Sequence, residues 1–149
     1  MTRNNEELLS LHRYYIWANR MRTHFDEILA SGTSATGQGE IESVLYMSYW
    51  YGGLYVVVEG WKELGLTDAA VDRLLESPNV DLLRRYRNGV FHFQRQYNDQ
   101  RFMEFITQGT DVVPWVRNLN QQLGRYFLEV LSNRTVERDA RKSGARPSP

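Results

Sequence analysis

The feature that most constrains this chain is a central segment without any charged residue, residues 44–58. It spans about 15 residues, whereas a transmembrane helix needs about 20 apolar ones. Tyr and Trp side chains crowd the segment, and Gly52 and Gly53 interrupt it. We therefore expect a buried helix and no contact with a membrane.

Apolar residues at helical spacing extend this segment into a helix from about residue 40 to residue 64. They form two stripes on different sides, as is typical of a central helix with neighbours all round. Residues 55–58 alone would suit a strand, but the length of the pattern and the lack of hairpin signals argue against one. The aromatic residues of this helix are expected in the core or at a dimer interface, with a base-stacking platform as the alternative: Tyr46, Tyr49, Trp50, Tyr51, Tyr55 and Trp61.

Helical periodicity also organises the rest of the chain. It predicts an all-α fold, a helical bundle of four to five main helices with short accessory helices. The other expected helices cover about residues 5–30, 68–76 (capped by Thr67), 80–97, 100–106 and 111–134. Because the remaining sequence is charged and rich in Ser, Gly and Pro, we expect one domain over 1–134 and a disordered charged tail over 135–149.

Composition excludes several classes of site. The chain has 0 Cys, so disulfides and thiolate metal sites are impossible. Its formal net charge of +0 gives no global attraction to nucleic acid, although a local basic patch stays open. The polar N-terminal segment lacks the apolar run of a signal peptide, so we expect a cytoplasmic protein.

The expected helix over 80–97 carries the densest polar chemistry. Its apolar stripe comprises Leu83, Tyr86, Val90, Phe93 and Tyr97. The opposite face and its edge carry three arginines, an amide, an imidazole and no carboxylate, namely Arg84, Arg87, Asn88, His92 and Arg95. Such a face is typical of an anion-binding surface, although arginines that are merely solvated remain an alternative.

Helix geometry limits how Arg87 and His92 can cooperate. Five residues correspond to a divergence of roughly 140° around the axis. Both side chains can therefore serve one site only if the helix bends near Gly89, or if a two-fold dimer pools two copies of each. Glu59 is either a buried partner of an arginine such as Arg87 or Arg84, or exposed at the helix rim. We assign His12 and His24 no role.

The stretch from Arg87 to His92 resembles the motif of the HEPN superfamily (higher eukaryotes and prokaryotes nucleotide-binding). In that motif an Arg, often followed by a polar residue, precedes a His by four to six intervening residues; here Asn88 is the polar residue. The resemblance extends to the arrangement of helices over roughly residues 4–134. It implies a HEPN-like helical domain.

Many HEPN proteins are metal-independent endoribonucleases that act as homodimers in toxin–antitoxin and defence systems. The resemblance implies that His92 is general acid or base, that Arg87 stabilises phosphate charge, and that Asn88 orients one of them. It implies RNA as partner, a 2′,3′-cyclic phosphate product, a cognate antitoxin protein, and no cofactor or metal. Arg84, Arg85 and Arg95 would hold flanking phosphates, and Phe91 would either pack in the core or stack a base.

Two further expectations follow from the resemblance. Some family members carry a modified Tyr two positions after the His, but this chain has Gln94 there. Control by tyrosine adenylylation at this position is therefore not expected. Other members have lost catalysis, so a non-catalytic module that binds RNA, nucleotides or proteins is the alternative function.

Overall fold

The computed structural model describes residues 3–35 and 37–143, and within them it contains six helices and no strand. The all-α prediction is confirmed. No helix among these residues is both long and apolar enough to cross a membrane. The helices are α1 (Arg3–Ser31), α2 (Gly37–Glu63), α3 (Ala69–Leu75), α4 (Asn79–Phe91), α5 (Gln100–Gln108) and α6 (Val112–Ser143).

Helix α2 is the central element, as its two apolar stripes predicted. It packs against α1 on one side and α4 on the other, and α6 adds fully buried side chains to the same core, including Leu119 and Leu123. The paired glycines allow this close packing. A Cβ at Gly53 would lie 3.2 Å from Cβ of Ala18 in α1, and one at Gly52 would lie 2.9 Å from the ring of Phe91 in α4.

The aromatic residues of α2 divide between core and surface. Trp50, Tyr51, Tyr55 and Trp61 are buried, whereas Tyr49 is exposed. Three aliphatic side chains before Tyr49 are also exposed. We call the resulting surface the α2 strip; it comprises Ile41, Val44, Leu45 and Tyr49.

Helix α4 ends at Phe91, six residues before the predicted end at Tyr97. The prediction was wrong because α5 folds back onto α4 and needs the chain to reverse. Phe102 of α5 packs on Gly89, where a Cβ would lie 3.1 Å from the ring. Gly89 therefore serves close helix packing, and Phe93 and Tyr97 are exposed outside the apolar stripe.

Two other boundaries differ from the sequence prediction. Asp68, not Thr67, caps α3, since its carboxylate accepts hydrogen bonds from the backbone N–H groups of Ala70 and Val71. Helix α6 continues through residues 135–143, where a disordered tail was expected. That part lacks Gly and Pro and contains the helix-forming residues Glu137, Arg138, Ala140 and Arg141, so the helix can continue although the side chains of residues 135–141 are exposed. The rest of the expected tail, 144–149, lies outside the described residues.

Candidate functional site at the end of helix α4

The C-terminus of α4 separates the two ends of the motif. Arg87 and Asn88 belong to the last helical turns, whereas His92 is the C-cap with extended backbone (φ −121°, ψ 131°). The backbone N–H of His92 still donates to the carbonyl of Asn88 at 3.1 Å, and the side chain is exposed. His92 thus lies outside the last helical turn, and its backbone leads into the loop that follows.

Arg87 is held between α4 and α2. Its Nη2 donates to Oε1 of Glu59 at 2.8 Å, and its guanidinium carbon lies 5.1 Å from the centre of the Tyr55 ring. The Arg87 side chain is only 20% exposed, while that of Glu59 is 51% exposed. The structure combines the two alternatives for Glu59: it pairs with Arg87, but it lies half-exposed at the helix rim and is not buried.

One donor of Arg87 stays unsatisfied. Its Nε is buried and finds no hydrogen-bond acceptor within the described part of the chain. A buried donor without a partner costs about 1–3 kcal/mol, so such a group is either strained or has a function. Burial, and then the charge of Glu59, raise the pKa of the Tyr55 phenol that lies under the Arg87 guanidinium.

Sequence reasoning missed Tyr55 and the role of Gln94. Tyr55 precedes Glu59 by four residues, so helical spacing could have placed both on the face that meets Arg87. Gln94 donates to the carbonyl of His92 at 2.7 Å and accepts a hydrogen bond from Arg101 of α5. It thereby fixes the backbone at His92. This contact could not be predicted, because the sequence placed Gln94 in the middle of a continuous helix over 80–97.

The other basic residues of the motif region differ in their partners. Arg84 pairs with Asp81 of its own helix at 2.8 Å, and Arg85 pairs with Glu104 of α5 at 2.7 Å. The prediction of a surface without carboxylates is therefore wrong, because neighbouring carboxylates neutralise the charge of most of its arginines. Arg95 is exposed in the loop after α4, and no ion pair of it occurs within 3–35 and 37–143.

Phe91 connects the motif to the α2 strip. Its ring lies on Gly52 and makes an edge-to-face contact with Tyr49 at 5.8 Å between ring centres. One side of the ring nevertheless remains exposed. Phe91 is thus partly packed and partly available, and the surface beside His92 is continuous with exposed apolar side chains of α2.

The remaining histidines lie elsewhere. His12 packs 5.1 Å from Phe127 of α6, where burial lowers its pKa. His24 contacts Glu27 of its own helix at 3.2 Å. Among the described residues, no three His, Cys, Asp or Glu side chains are grouped so that they could hold a metal ion.

The structure thus brings Arg87, Asn88 and His92 to one end of α4. In the described residues no hydrogen bond joins the side chain of Arg87 to that of His92. Comparison with protein family models, curated proteins and solved structures gives no match.

Proposed function

We propose that this protein is a HEPN-like, metal-independent endoribonuclease that acts as a homodimer. The observation that carries the proposal is the pairing of an incompletely satisfied guanidinium, that of Arg87, with an exposed imidazole five residues later at the end of the same helix. An arginine suits the charge of a phosphate. A histidine is the usual acid–base group near neutral pH.

The proposed reaction needs only these groups. His92 of one subunit removes the proton of a ribose 2′-OH, and the 2′ oxygen attacks the neighbouring phosphorus. The bond to the 5′ oxygen breaks, and that oxygen takes a proton from His92 of the second subunit. Arg87 stabilises the charge that develops on the phosphate oxygens. The products are a 2′,3′-cyclic phosphate and a 5′-hydroxyl.

A second copy of the chain completes the proposed site. Arg87 lies against α2, whereas His92 lies beyond the helix end, and we infer that two subunits together supply the groups around one phosphate. The α2 strip and Phe91 form an exposed apolar surface next to the motif, and such surfaces often mark protein interfaces. Pairing them about a two-fold axis would bring two copies of the motif together.

The Glu59 contact is compatible with phosphate binding. Glu59 is half-exposed, and exposed ion pairs stabilise proteins by only about 0–1 kcal/mol. In the proposal an RNA phosphate displaces Glu59 or joins it at Arg87. Arg84, Arg85 and Arg95 would contact flanking phosphates, with Arg95 the most available of the three.

The catalytic claim is tested by incubating the purified protein with mixed RNA in EDTA. We expect fragments with 2′,3′-cyclic phosphate ends. His92→Ala should lower the rate by about 10²- to 10⁴-fold, the usual contribution of acid–base catalysis. His24→Ala is the matched control, because His24 lies on α1 away from the motif, and it should cleave like the wild type. Absence of cleavage, or equal rates for the two variants, would refute the proposal.

The dimer claim has its own test. Leu45→Glu places a charge in the α2 strip and should give monomers in light scattering after size exclusion, with loss of cleavage. Leu128→Glu is the control, since Leu128 is exposed on α6, and it should keep the wild-type mass. If Leu45→Glu stays dimeric or the wild type is monomeric, the composite site is wrong.

The proposed activity also has a cellular setting, that of a cytoplasmic toxin or defence effector restrained by an antitoxin protein. Expression of the chain alone should then arrest growth, and His92→Ala should relieve the arrest. The second candidate function is a non-catalytic RNA- or nucleotide-binding module. It is favoured by the occupation of Arg87 by Glu59, and it predicts RNA binding without turnover.

A further inference from the structure

The loop between α4 and α5, residues 92–99, exposes two large aromatic side chains. Phe93 is 92% exposed and Tyr97 is 97% exposed. Aromatic rings usually contribute to a core or an interface because they bury so much apolar area. Here the reversal of the chain after Phe91 removes both rings from the stripe that would have buried them.

The residues between these rings are polar or cationic, while the carboxylate of Asp99 at the end of the loop caps α5 and lies 3.7 Å from Arg101. Gln94, Arg95 and Gln96 lie between them. Arg101, at the start of α5, is hydrogen-bonded to Gln94 at the base of the loop. The core of a protein–protein interface is depleted of charged residues, whereas single-stranded nucleic acids bind where cationic side chains alternate with exposed aromatic rings.

We propose that this loop binds unpaired nucleobases of RNA, with Phe93 and Tyr97 stacking on base faces and Arg95 contacting a phosphate. The inference rests on the proposed function only in taking RNA as the ligand. Because Phe93 directly follows His92, a strand held by the loop would lead to the candidate site. Base faces are accessible only when the bases are unpaired, so the loop selects single strands over duplexes.

Binding is measured on the full-length His92→Ala protein, which prevents cleavage during the titration. The probes are a fluorescent single-stranded RNA, the blunt duplex of the same sequence, and an oligomer of equal charge without bases. The variants are Phe93→Ala, Tyr97→Ala and the conservative Tyr97→Phe. Leu128→Ala is the control for loss of an exposed apolar side chain. Circular dichroism and light scattering report fold and mass for each variant.

We expect the single strand to bind more tightly than the duplex. Each of Phe93→Ala and Tyr97→Ala should weaken single-strand binding by between about fivefold and a hundredfold, the usual effect of removing one stacking ring. Tyr97→Phe and Leu128→Ala should bind like the parent protein. Binding of the oligomer without bases should be the same for all variants, because only charge holds it.

Three outcomes would overturn the inference. They are unchanged single-strand affinity in both alanine variants, an equal loss of affinity for the oligomer without bases, or a change of oligomeric mass that identifies the loop as a protein contact. Failure of the ribonuclease proposal is separate. A wild-type protein that binds single strands through both rings without cleaving them keeps the inference, and His92-dependent cleavage that ignores both rings refutes the inference alone.

Discussion

Two arginine–carboxylate contacts of this protein are built in opposite ways. Asp26 of α1 accepts hydrogen bonds from Arg22 at 2.6 Å and from Arg117 of α6 at 2.7 Å. Glu59 of α2 accepts one hydrogen bond from Arg87. The first carboxylate joins two guanidinium groups, whereas the second contact leaves a buried donor of Arg87 unpaired.

The Asp26 contact belongs to a larger arrangement that we call the polar network. The indole N–H of Trp50 donates to Asn120 at 3.0 Å, and Asn120 donates to Asn19 at 2.9 Å. Arg22 donates to the same Asn19 oxygen at 2.8 Å and links it to Asp26, and the guanidinium of Arg117 lies over the Trp50 ring. The polar network, Asn19, Arg22, Asp26, Trp50, Arg117 and Asn120, thus closes on itself across α1, α2 and α6.

The comparison distinguishes polar groups that stabilise the fold from polar groups that are available to a ligand. In the polar network the chain supplies partners for its buried polar groups, so we expect it to stabilise the fold and to have no room for a ligand. At the Arg87 contact the chain satisfies the guanidinium incompletely and leaves its carboxylate half-exposed. We therefore expect changes in the polar network to affect the free energy of unfolding, and changes at Arg87 to affect RNA binding and cleavage.

The largest effect on stability is expected for Asn120→Ala. It leaves the N–H of Trp50 without an acceptor in the core, which should lower the free energy of unfolding by about 2–4 kcal/mol. Urea denaturation measures the change. Asn118→Ala, on the exposed side of the same helix, is the control and should change stability by less than about 0.5 kcal/mol. Similar losses in both would contradict a structural role for the network.

A smaller effect, with a dependence on pH, is expected for Asp26→Asn. Burial works to raise the pKa of Asp26, but the hydrogen bonds and charges of Arg117 and Arg22 outweigh it, so the net pKa lies below the ordinary value. Its stabilisation is therefore present above the unfolded pKa of about 3.9 and is lost as pH falls through the folded pKa. We expect a loss of about 1 kcal/mol at pH 7.

The same variant should lose less stability on acidification below about pH 4 than the wild type does, because the titrating group is gone. Thermal unfolding of both proteins between pH 7 and pH 2 gives this difference. Parallel curves would show that Asp26 does not carry the acid sensitivity. Asp68, whose pKa the hydrogen bond from Arg125 lowers despite burial, remains in both proteins and contributes equally.

Arg87→Ala should affect RNA cleavage much more than stability, in contrast to the two variants of the polar network. Because the Glu59 carboxylate is half-exposed and the variant also removes the unsatisfied Nε donor, we expect the free energy of unfolding to fall by less than about 1 kcal/mol. RNA cleavage, by contrast, should fall at least about a hundredfold, since the phosphate charge loses its guanidinium. Arg84→Ala removes a comparable ion pair and should leave most of the cleavage. Equal cleavage by the two variants would remove the functional distinction between the two regions.

The smallest effect on stability, within about 0.5 kcal/mol, is expected for Glu59→Gln. This variant keeps a hydrogen-bond acceptor for Arg87 but removes the negative charge beside it. We expect RNA affinity, measured with His92→Ala also present, to rise a few-fold at low salt and to converge on the parent value at high salt. Glu63→Gln, near the end of the same helix, is the control. A loss of affinity would mean that Glu59 orients Arg87 and does not compete with phosphate.

The sequence by itself determined much of this protein. The charge-free segment 44–58 predicted a central helix, and periodicity predicted the helices around it, because 3.6-residue repeats report directly which face is buried. For Glu59 the sequence left two alternatives, an arginine partner or exposure at the helix rim, and the structure shows both together. The motif from Arg87 to His92 was visible as a local pattern.

Only the tertiary structure decided where α4 ends and what its residues meet. The stop at Phe91 depends on α5 folding back and on the fit of Phe102 to Gly89, a contact between segments that no local pattern encodes. Because α4 ends there, His92 lies outside the helix and Phe93 and Tyr97 are exposed. The side chain of Gln94 also reaches the backbone carbonyl of His92. The polar network escaped sequence reasoning likewise, because Asn19 and Asn120 are far apart in the chain and meet only when α1 and α6 pack.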